Sequence, residues 1–502
     1  MGYARVTAAA LQGAEGRLVE VEADVTSGLP GLLLTGLPDA ALQQARDRVR
    51  AAVLNSGELW PRHRATVNLL PASLPKFGSG FDLPIAIALL SADESLPAHA
   101  VDGILLIGEL GLDGQIRPVP GVLPAVLAAA RAGIARAIVP AGNAREAALV
   151  PGIAVSPAST LGGLLSHFRE GTRLPAAEPA GDSPAPPAGD LATVAGQETA
   201  RWGLEIAAAG GHNLAMIGPP GAGKTLLAEC MPGLLPELDD ASALEVTAVH
   251  SIAGLLPEAG LIRRPPYQAP HHTSSPAALV GGGSGLARPG AVTLAHRGVL
   301  FLDEAPLFQS GALEALRQPL ESGRVQLLRV QGTIEYPARP QLVIAANPCG
   351  CAAGPRACEC SSLARRRFLG RLSGPLLDRV DIQLTLEPVA AADLLSESVP
   401  DSSAEVAARA AKARAAAQAR WLEWGWRTNS EVPGRALRAQ PWRLPLPVTA
   451  DLTRHLDLGL LSARGYDRVL RVAWTIADLA GRPSPDREDI AEAIHLRMRN
   501  AP

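Results

Sequence analysis

The sequence predicts an α/β protein of several domains: an α/β front part, a parallel-sheet core around a phosphate-binding loop, and a helical C-terminal part. Three observations carry that prediction. Strand-like alternation and helix-like spacing follow one another through the first third of the chain. The apolar stretch 213–217 runs straight into Gly218-Pro219-Pro220-Gly221-Ala222-Gly223-Lys224-Thr225, which matches G-x-x-x-x-G-K-[ST]. After Pro388 the apolar residues recur with helical spacing only.

The chain has 502 residues, which at about 100–200 per domain suggests about three domains. The stretch 174–190, LPAAEPAGDSPAPPAGD, cannot bury enough apolar surface to fold and reads as an extended linker. The expected division is 1–171, a linker at 172–190, a core at 191–390 and a helical lid at 391–502.

Within the front part, 17–25 alternates as a half-buried strand does, and 39–56 has helical spacing with Arg46, Arg48 and Arg50 among its polar positions. Strands are expected at 66–70 and 104–109, and a helix at 121–132. In the back part a helix over 198–208 precedes the strand at 213–217. Further apolar strands are expected at 299–302 and 342–346, and helices over 403–424, 461–481 and 487–499.

Hydrophobic residues make up 47% and charged residues 19%, a composition with ample core material. A formal net charge of -3 argues against a chain that coats nucleic acid non-specifically, so any DNA contact needs a local basic surface. Aromatics at 3% weigh against base-stacking platforms. No run of apolar residues is long enough to cross a membrane, and the N-terminus lacks a signal-peptide profile, so a cytoplasmic protein is expected. Five cysteines in a reducing compartment argue for metal or free thiols rather than disulfides.

The glycines of 218–223 let backbone N–H groups turn inward around phosphate oxygens, and the following helix N-terminus adds positive potential. Lys224 is expected to reach the β- and γ-phosphates of ATP, and Thr225 to ligate Mg²⁺. The stretch 298–304, GVLFLDE, is an apolar strand ending in two acids. Asp303 would hold the magnesium, directly or through water, and Glu304 would activate the attacking water; adjacent acids at a strand end otherwise often cap the next helix. The strand at 342–346 leads to Asn347, placed to sense the γ-phosphate, although asparagine also favours turns. Arg379 lies in GPLLDRVD, and Arg464 and Arg468 lie on a helix of the lid. Phosphoryl transfer needs extra positive charge, often from a neighbouring subunit; ordinary ion pairing is the alternative.

Phosphate loop, DE strand, Asn strand, LLDR segment and arginine-bearing lid, in that order, resemble the AAA+ ATPases. The segments SGLPGLLLTGLPD (27–39), KFGSGFDLPIA (76–86), APHHTSSPAALVGGGS (269–284), LEALRQPLESG (313–323), NPCGC (347–351) and SGPLLDRVDI (373–382) narrow the resemblance to the ComM/YifB family of magnesium-chelatase-like proteins, over essentially the whole chain. The resemblance implies a ring-shaped homohexamer with ATP between subunits and a DNA helicase that promotes branch migration. It makes Arg379 the arginine finger acting in trans and Arg464 the lid sensor, with Arg468 as competitor. It points the 281–287 loop and the hairpin around 324–332 into the ring pore, so Arg324 and Arg329 are the DNA-contact candidates, with single-stranded or branched DNA as partner. An ATPase that remodels a protein client is the rival; the GGGSGLA loop has no aromatic at its tip, which tilts towards DNA.

The front domain resembles the Lon-protease fold, including GELGLDGQIRPVPG (108–121). Lon-type proteolysis needs a Ser–Lys pair, the amine deprotonating the hydroxyl. Ser79 falls near the nucleophile's place, but Leu123 and Pro124 stand where the lysine belongs, so a non-proteolytic domain is expected.

Cys349, Cys351, Cys358 and Cys360 form C-x-C-x₆-C-x-C, enough thiolates for a tetrahedral Zn²⁺, with free cytosolic thiols as the alternative. His271 and His272 read as loop residues, because adjacent side chains diverge and no third ligand is near. Arg365, Arg366, Arg367 and Arg371 form the densest basic run and read equally as a solvated face, a subunit seam or a DNA contact. Arg409, Lys412, Arg414 and Arg420 read as a solvated helix surface.

Overall fold

The computed structural model describes the chain except positions 1, 37–43, 98, 183–187, 257–259, 284–286, 330–331, 352–357, 373, 396–399 and 499–502. The first domain begins with two long antiparallel strands, β1 (Tyr3–Gln12) and β2 (Glu15–Thr26). The alternation of β2 fixes its faces: Val19, Val21, Ala23 and Val25 are buried, while Glu20 and Asp24 face solvent. With β3 (Gly31–Thr35), β4 (Arg64–Leu70), β5 (Ile104–Leu106), β6 (Arg136–Pro140) and β7 (Ala154–Ala158) they form a mixed sheet of order β3-β4-β2-β1-β5-β6-β7. Helix α1 (Ala45–Asn55) begins later than the expected helical stretch, whose residues 39–43 lie outside the described ones. Helix α2 (Asp82–Ala92) is apolar on nearly every side and is buried almost throughout against β1 and β2. Helices α3 (Val122–Arg131) and α4 (Leu161–Glu170) complete the domain; Thr160 Oγ1 caps α4 by accepting from Gly163 N at 3.1 Å.

The described residues of 172–190 contain no helix and no strand beyond one isolated bridge, Asp182 to Leu261. They are nevertheless tied down. Ala177 N donates to Val155 O at 2.9 Å, Arg263 pairs with Asp182 at 2.9 Å, and Gly189 N donates to Glu229 O at 3.3 Å. A segment too poor in apolar residues to build its own core still has backbone groups to satisfy, and it satisfies them on both neighbouring domains.

The core domain is a five-stranded parallel sheet flanked by helices. In chain order come α5 (Glu198–Gly210), β8 (Leu214–Ile217), α6 (Lys224–Leu234), α7 (Asp240–Ala253), β9 (Tyr267–Gln268), α8 (Pro276–Val280) and β10 (Val299–Leu302). A hairpin, β11 (Arg324–Arg329) with β12 (Gly332–Pro337), precedes β13 (Gln341–Ala346), α9 (Ser362–Leu369) and β14 (Ile382–Thr385). The sheet order is β9-β10-β13-β8-β14, with β8 between β13 and β14. Strands buried on both faces read as continuous apolar runs, which is why 299–302 and 342–346 are legible without alternation; the second strand begins one residue earlier, at Gln341.

The two domains meet at the hairpin and at α7. Ala14 N, in the β1–β2 turn, donates to Glu335 O at 3.3 Å. Gly13 has φ +64°, and a Cβ there would lie 1.9 Å from Glu335 O, so the contact requires glycine. Helix α3 packs on α7, where Gly121 N donates to Ser251 O at 3.2 Å.

The lid comprises α10 (Ser403–Trp421), α11 (Leu446–Asp457), α12 (Ala463–Leu479) and α13 (Arg487–Met498). Ser402 and Glu405 form a capping box at the start of α10. Five tryptophans, Trp421, Trp424, Trp426, Trp442 and Trp474, pack ring to ring, with Trp421 and Trp442 at 4.7 Å between centroids. Five of the chain's seven tryptophans therefore pack against one another in the lid rather than forming a base-stacking surface. Two of the basic positions of α10, Arg414 and Arg420, depart from the solvated surface expected for them, while Arg409 is exposed but paired. Arg409 pairs with Glu205 at 2.6 Å, Arg414 Nε donates to Ala208 O at 2.7 Å, and Arg420 pairs with Asp478 while lying 4.4 Å over the Trp474 ring; Lys412 stays exposed. The small alanines between them let long side chains lie flat along α5 and α12.

Candidate nucleotide site and its two halves

Strand β8 delivers the glycine loop to the start of α6. Gly221 and Gly223 have φ of +77° and +88°, the left-handed conformations that an inward-turning anion cradle needs. Lys224 begins α6, and its ammonium donates to Gly218 O and Pro219 O at 2.8 Å each and to Asn347 Oδ1 at 3.0 Å. Burial pushes its pKa down, while the charges of Asp303 and Glu304 act the other way. Gln197 Nε2 braces the loop by donating to Ala222 O at 3.2 Å.

Three parallel strands converge here. Strand β10 ends beside β13, so Asp303 and Glu304 leave the sheet next to Asn347. Thr225 Oγ1 donates to Asp303 Oδ2 at 3.1 Å, and Glu304 N donates to Asp303 Oδ1 at 2.8 Å. A hydroxyl and a carboxylate this close form an all-oxygen pair that suits Mg²⁺, and the glycine cradle suits a triphosphate. Mg²⁺, when bound, would neutralise charge on the phosphate oxygens. The chain's own residues then have separate tasks. With ATP and Mg²⁺ bound, Lys224 would hold phosphate, Thr225 and Asp303 would hold the cation, and Glu304 would offer a carboxylate for orienting water, while Asn347 Oδ1 accepts from the Lys224 ammonium.

Glu304 sits at φ +48°, an unfavourable backbone conformation for a residue with a Cβ. His272 Nδ1 lies 3.5 Å from Glu304 Oε2, an ion-pair distance longer than a good hydrogen bond. The sequence marks His272 only as a loop residue; the structure adds this contact. The rings of His271 and His272 also converge, at 4.1 Å. The missing signal was strand register. Tyr267 pairs with Val299 and Gln268 with Leu300, and continuing that register brings His272 level with Glu304.

The arginines lie elsewhere. Asn213 Nδ2 donates to Arg379 O at 2.9 Å, at the opening end of β8, whereas Gly218 follows its closing end. The stretch from Asn213 to Gly218 spans roughly 16 Å at ~3.3 Å per residue, farther than an arginine side chain reaches. Arg379 pairs with Glu321 at 2.7 Å. Arg468 donates to Asp381 Oδ1 at 2.5 Å and to Arg379 O at 3.3 Å. Burial alone would raise the Asp381 carboxyl. The His212 hydrogen bond and the charges of Arg468, His212 and Arg471 outweigh it and hold the group well below the usual carboxylate range. Arg379, Arg464, Arg468, Arg471 and Trp426 line one cavity of about 990 Å³ between core and lid. The structure thus brings Lys224, Thr225, Asp303, Glu304 and Asn347 together at one end of the sheet, and Arg379, Arg464 and Arg468 together at the other.

Four thiols gather just beyond Asn347. Cys349 Sγ lies 3.1 Å from Cys351 Sγ and 3.4 Å from Cys358 Sγ, and all four cysteine sulfurs lie within 4.8 Å of one another. A tetrahedral thiolate shell with Zn–S of ~2.3 Å separates its sulfurs by about 3.8 Å, so this donor set suits Zn²⁺ with small adjustment.

On the β11–β12 hairpin, Arg324 pairs with Glu335 at 3.2 Å, and Arg329 is exposed close to the tip, whose residues 330–331 lie outside the described ones. The 281–287 loop lies partly outside them too: Gly281–Gly282 pair with Arg288–Pro289, and 284–286 are not described. In the first domain, Ser79 Oγ bonds the Glu109 carboxylate, and Leu123 is buried. Lys76 is the only lysine in residues 1–171, and it donates to Gly36 O and Leu69 O at 2.9 Å each, and to Pro71 O.

Among the described residues, no helix is long and apolar enough to cross a membrane. Residues 190–394 match the family model described as magnesium chelatase, subunit ChlI; residues 21–143 match subunit ChlI of Mg-chelatase; and residues 400–497 match the ChlI C-terminal model. An uncharacterized protein of Mycobacterium tuberculosis is 54% identical over 503 residues, covering 100% of both chains. The uncharacterized protein YifB of Escherichia coli is 41% identical over 484 residues, 95% of this chain and 94% of that one. Competence protein ComM of Haemophilus influenzae is 39% identical over 505 residues, 99% of this chain and 98% of that one. A partial match, 30% identical over 144 residues, joins 27% of this chain to 17% of a Lon protease from Syntrophomonas wolfei. Matched by three magnesium-chelatase family models and, along nearly its full length, by YifB and ComM, the chain belongs to the ComM/YifB family of magnesium-chelatase-like AAA+ ATPases.

Proposed function

We propose that the chain is a Mg²⁺-dependent ATP hydrolase that works as a ring, most simply a homohexamer, and drives DNA strand exchange or unwinding. One observation carries the ring: the phosphate loop and the arginine cluster stand at opposite ends of β8. Each hydrolytic site then combines Lys224, Thr225, Asp303, Glu304 and Asn347 of one chain with Arg379 and a lid arginine of the next. Of the two lid candidates, Arg468 is engaged with Asp381, whereas Arg464 carries no ion pair among the described residues and is the better trans-acting group. Glu304 orients water, and arginine charge arriving from the neighbour offsets charge at the departing phosphate.

The DNA reading is supported by the name of the ComM relative, a competence protein, and by Arg329 exposed near the hairpin tip. In this reading the four-cysteine cluster is a structural Zn²⁺ site. One observation favours remodelling of a protein client instead: Leu328, beside Arg329, has 82% of its surface exposed, and an apolar tip suits a polypeptide. Turnover of ATP, measured alone and with single-stranded, duplex and four-way-junction DNA, separates the two. Stimulation with ring formation on branched or single-stranded DNA is the expected result. Turnover indifferent to every DNA rejects the motor.

A further inference from the structure

The segment from Asn347 to Arg371 has an inside and an outside. On the side of β13 the four thiols gather around buried Cys349, with Cys358 and Cys360 half-buried and Cys351 exposed. Cys349 follows the end of β13 by three residues, and Cys360 directly precedes Ser361, whose Oγ caps α9 by accepting from Ala364 N at 3.2 Å. The two cysteine pairs therefore clasp the end of a central strand to the start of a helix. The helix leans back on this clasp: a Cβ at Gly350 would lie 3.1 Å from the Phe368 ring.

The outside is positive. No residue of α9 is buried. Arg365, Arg366, Arg367 and Arg371 are all exposed. From Gln341 to Leu377 the sequence has a single acid, Glu359. Arg365 donates to Cys358 Sγ at 3.5 Å, and Arg371 lies 5.9 Å from the Phe368 ring centroid; none of the four arginines is paired with a carboxylate among the described residues. Some exposed arginines elsewhere in this chain have an acid beside them, as Arg324 has Glu335 and Arg409 has Glu205; what sets this segment apart is that four arginines without a carboxylate partner stand within seven residues. A short helix with three guanidiniums and a fourth just past its end, none paired with a carboxylate among the described residues and all tied to the strand that carries Asn347, is shaped for a partner that supplies many negative charges in a row.

We propose that the four thiolates bind one Zn²⁺ and that this knuckle presents α9 to the phosphate backbone of DNA. The inference rests on the DNA-motor reading and deepens it by naming the contact surface. Backbone phosphate fits better than a base edge, because the arginines lie on an exposed helix with no aromatic aimed outward among them. The metal's task is orientation. With the metal bound, the two cysteine pairs would fix the direction of α9, and of the charge it carries, relative to β13.

The test measures zinc per chain, ring assembly by light scattering, and binding of a labelled single-stranded oligonucleotide across a salt series. Wild-type protein should hold one zinc per chain. The double variant Arg366→Ala with Arg367→Ala should keep its zinc and its assembly, lose at least about five-fold in affinity, and flatten the log–log salt slope by about 1.4. The pair Cys358→Ser with Cys360→Ser should lose the zinc and show a comparable loss of affinity. Unchanged affinity and slope in the arginine variant overturn the proposal while leaving the motor reading intact. So does loss of ring assembly in that variant, which would place the arginines at a subunit seam, and so does less than about 0.2 zinc per chain in unchelated wild-type protein. Wild-type protein that binds no DNA at low salt overturns the motor reading, and this inference with it.

Discussion

Two buried lysines, one in each α/β domain, look alike by contact and differ in consequence. Lys76 donates only to main-chain carbonyls, those of Gly36, Leu69 and Pro71. Burial lowers its pKa, and no carboxylate opposes that. Lys224 also donates to two carbonyls, but its third partner is the Asn347 side chain, its loop turns through two left-handed glycines, and the charges of Asp303 and Glu304 reach it. The first lysine staples three segments of backbone. The second belongs to a cradle whose partners are side chains and glycine peptides, and phosphate oxygens can replace them. A buried lysine marks a reaction site when its surroundings can exchange partners, and a structural one when they cannot.

The sharpest way to break that comparison is to remove each amine in turn. Lys224→Ala should weaken ATP binding by more than about 100-fold, since a charge-assisted phosphate contact is lost from a cradle built around it. Its melting temperature should stay within a few degrees of wild type. Lys76→Met should do the reverse: about 2–4 kcal/mol of first-domain stability lost from carbonyls left without donors, with nucleotide affinity retained. Calorimetry and nucleotide titration on both variants decide it. A Lys76 variant that melts normally but no longer hydrolyses ATP would reverse the assignment.

Glu304→Gln addresses one member of the reactive cradle. It should keep ATP affinity and reduce kcat by about 100-fold, the ordinary size of a lost general base. Normal turnover would remove Glu304 from that role.

The smallest effect concerns the first of these domains. Burial pushes the Glu146 carboxyl up from 4.5 to about 7, against the hydrogen bond donated by Asn143. A raised acid pKa means that the folded chain binds the proton more tightly than the unfolded one. Stability from this group is therefore complete below pH 4.5 and declines as pH rises to about 7. Glu146→Gln should flatten that decline in a melting series. A slope identical to wild type would show that the carboxyl is not held this way.

What the sequence disclosed follows the same division. The phosphate loop, the DE pair and the cysteine cluster were legible because each chemistry needs its residues close together in the chain. Strands β10 and β13 were legible because burial on both faces leaves only apolar residues. The contact between His272 and Glu304 was not, because it depends on which strand neighbours β10 and in what register. The separation of Arg379 and Arg464 from Lys224 was not either, since it depends on where the lid packs. Helix α10 misled for a third reason: its alanines give arginines room to lie against neighbours, and a charged residue beside an alanine looks the same in sequence whether or not it does.

The central claim, that every hydrolytic site draws on two chains, has a direct test. Lys224→Ala and Arg379→Ala chains are each purified, shown to be inactive alone, mixed in equal amounts under conditions where wild-type rings form, and assayed for ATP turnover. An interface that pairs the intact cradle of one variant with the intact arginine of the other is competent, so random assembly should restore turnover at about a quarter of the interfaces. A mixture that co-assembles yet stays as inactive as either parent would place both halves of the site in one chain and contradict the account.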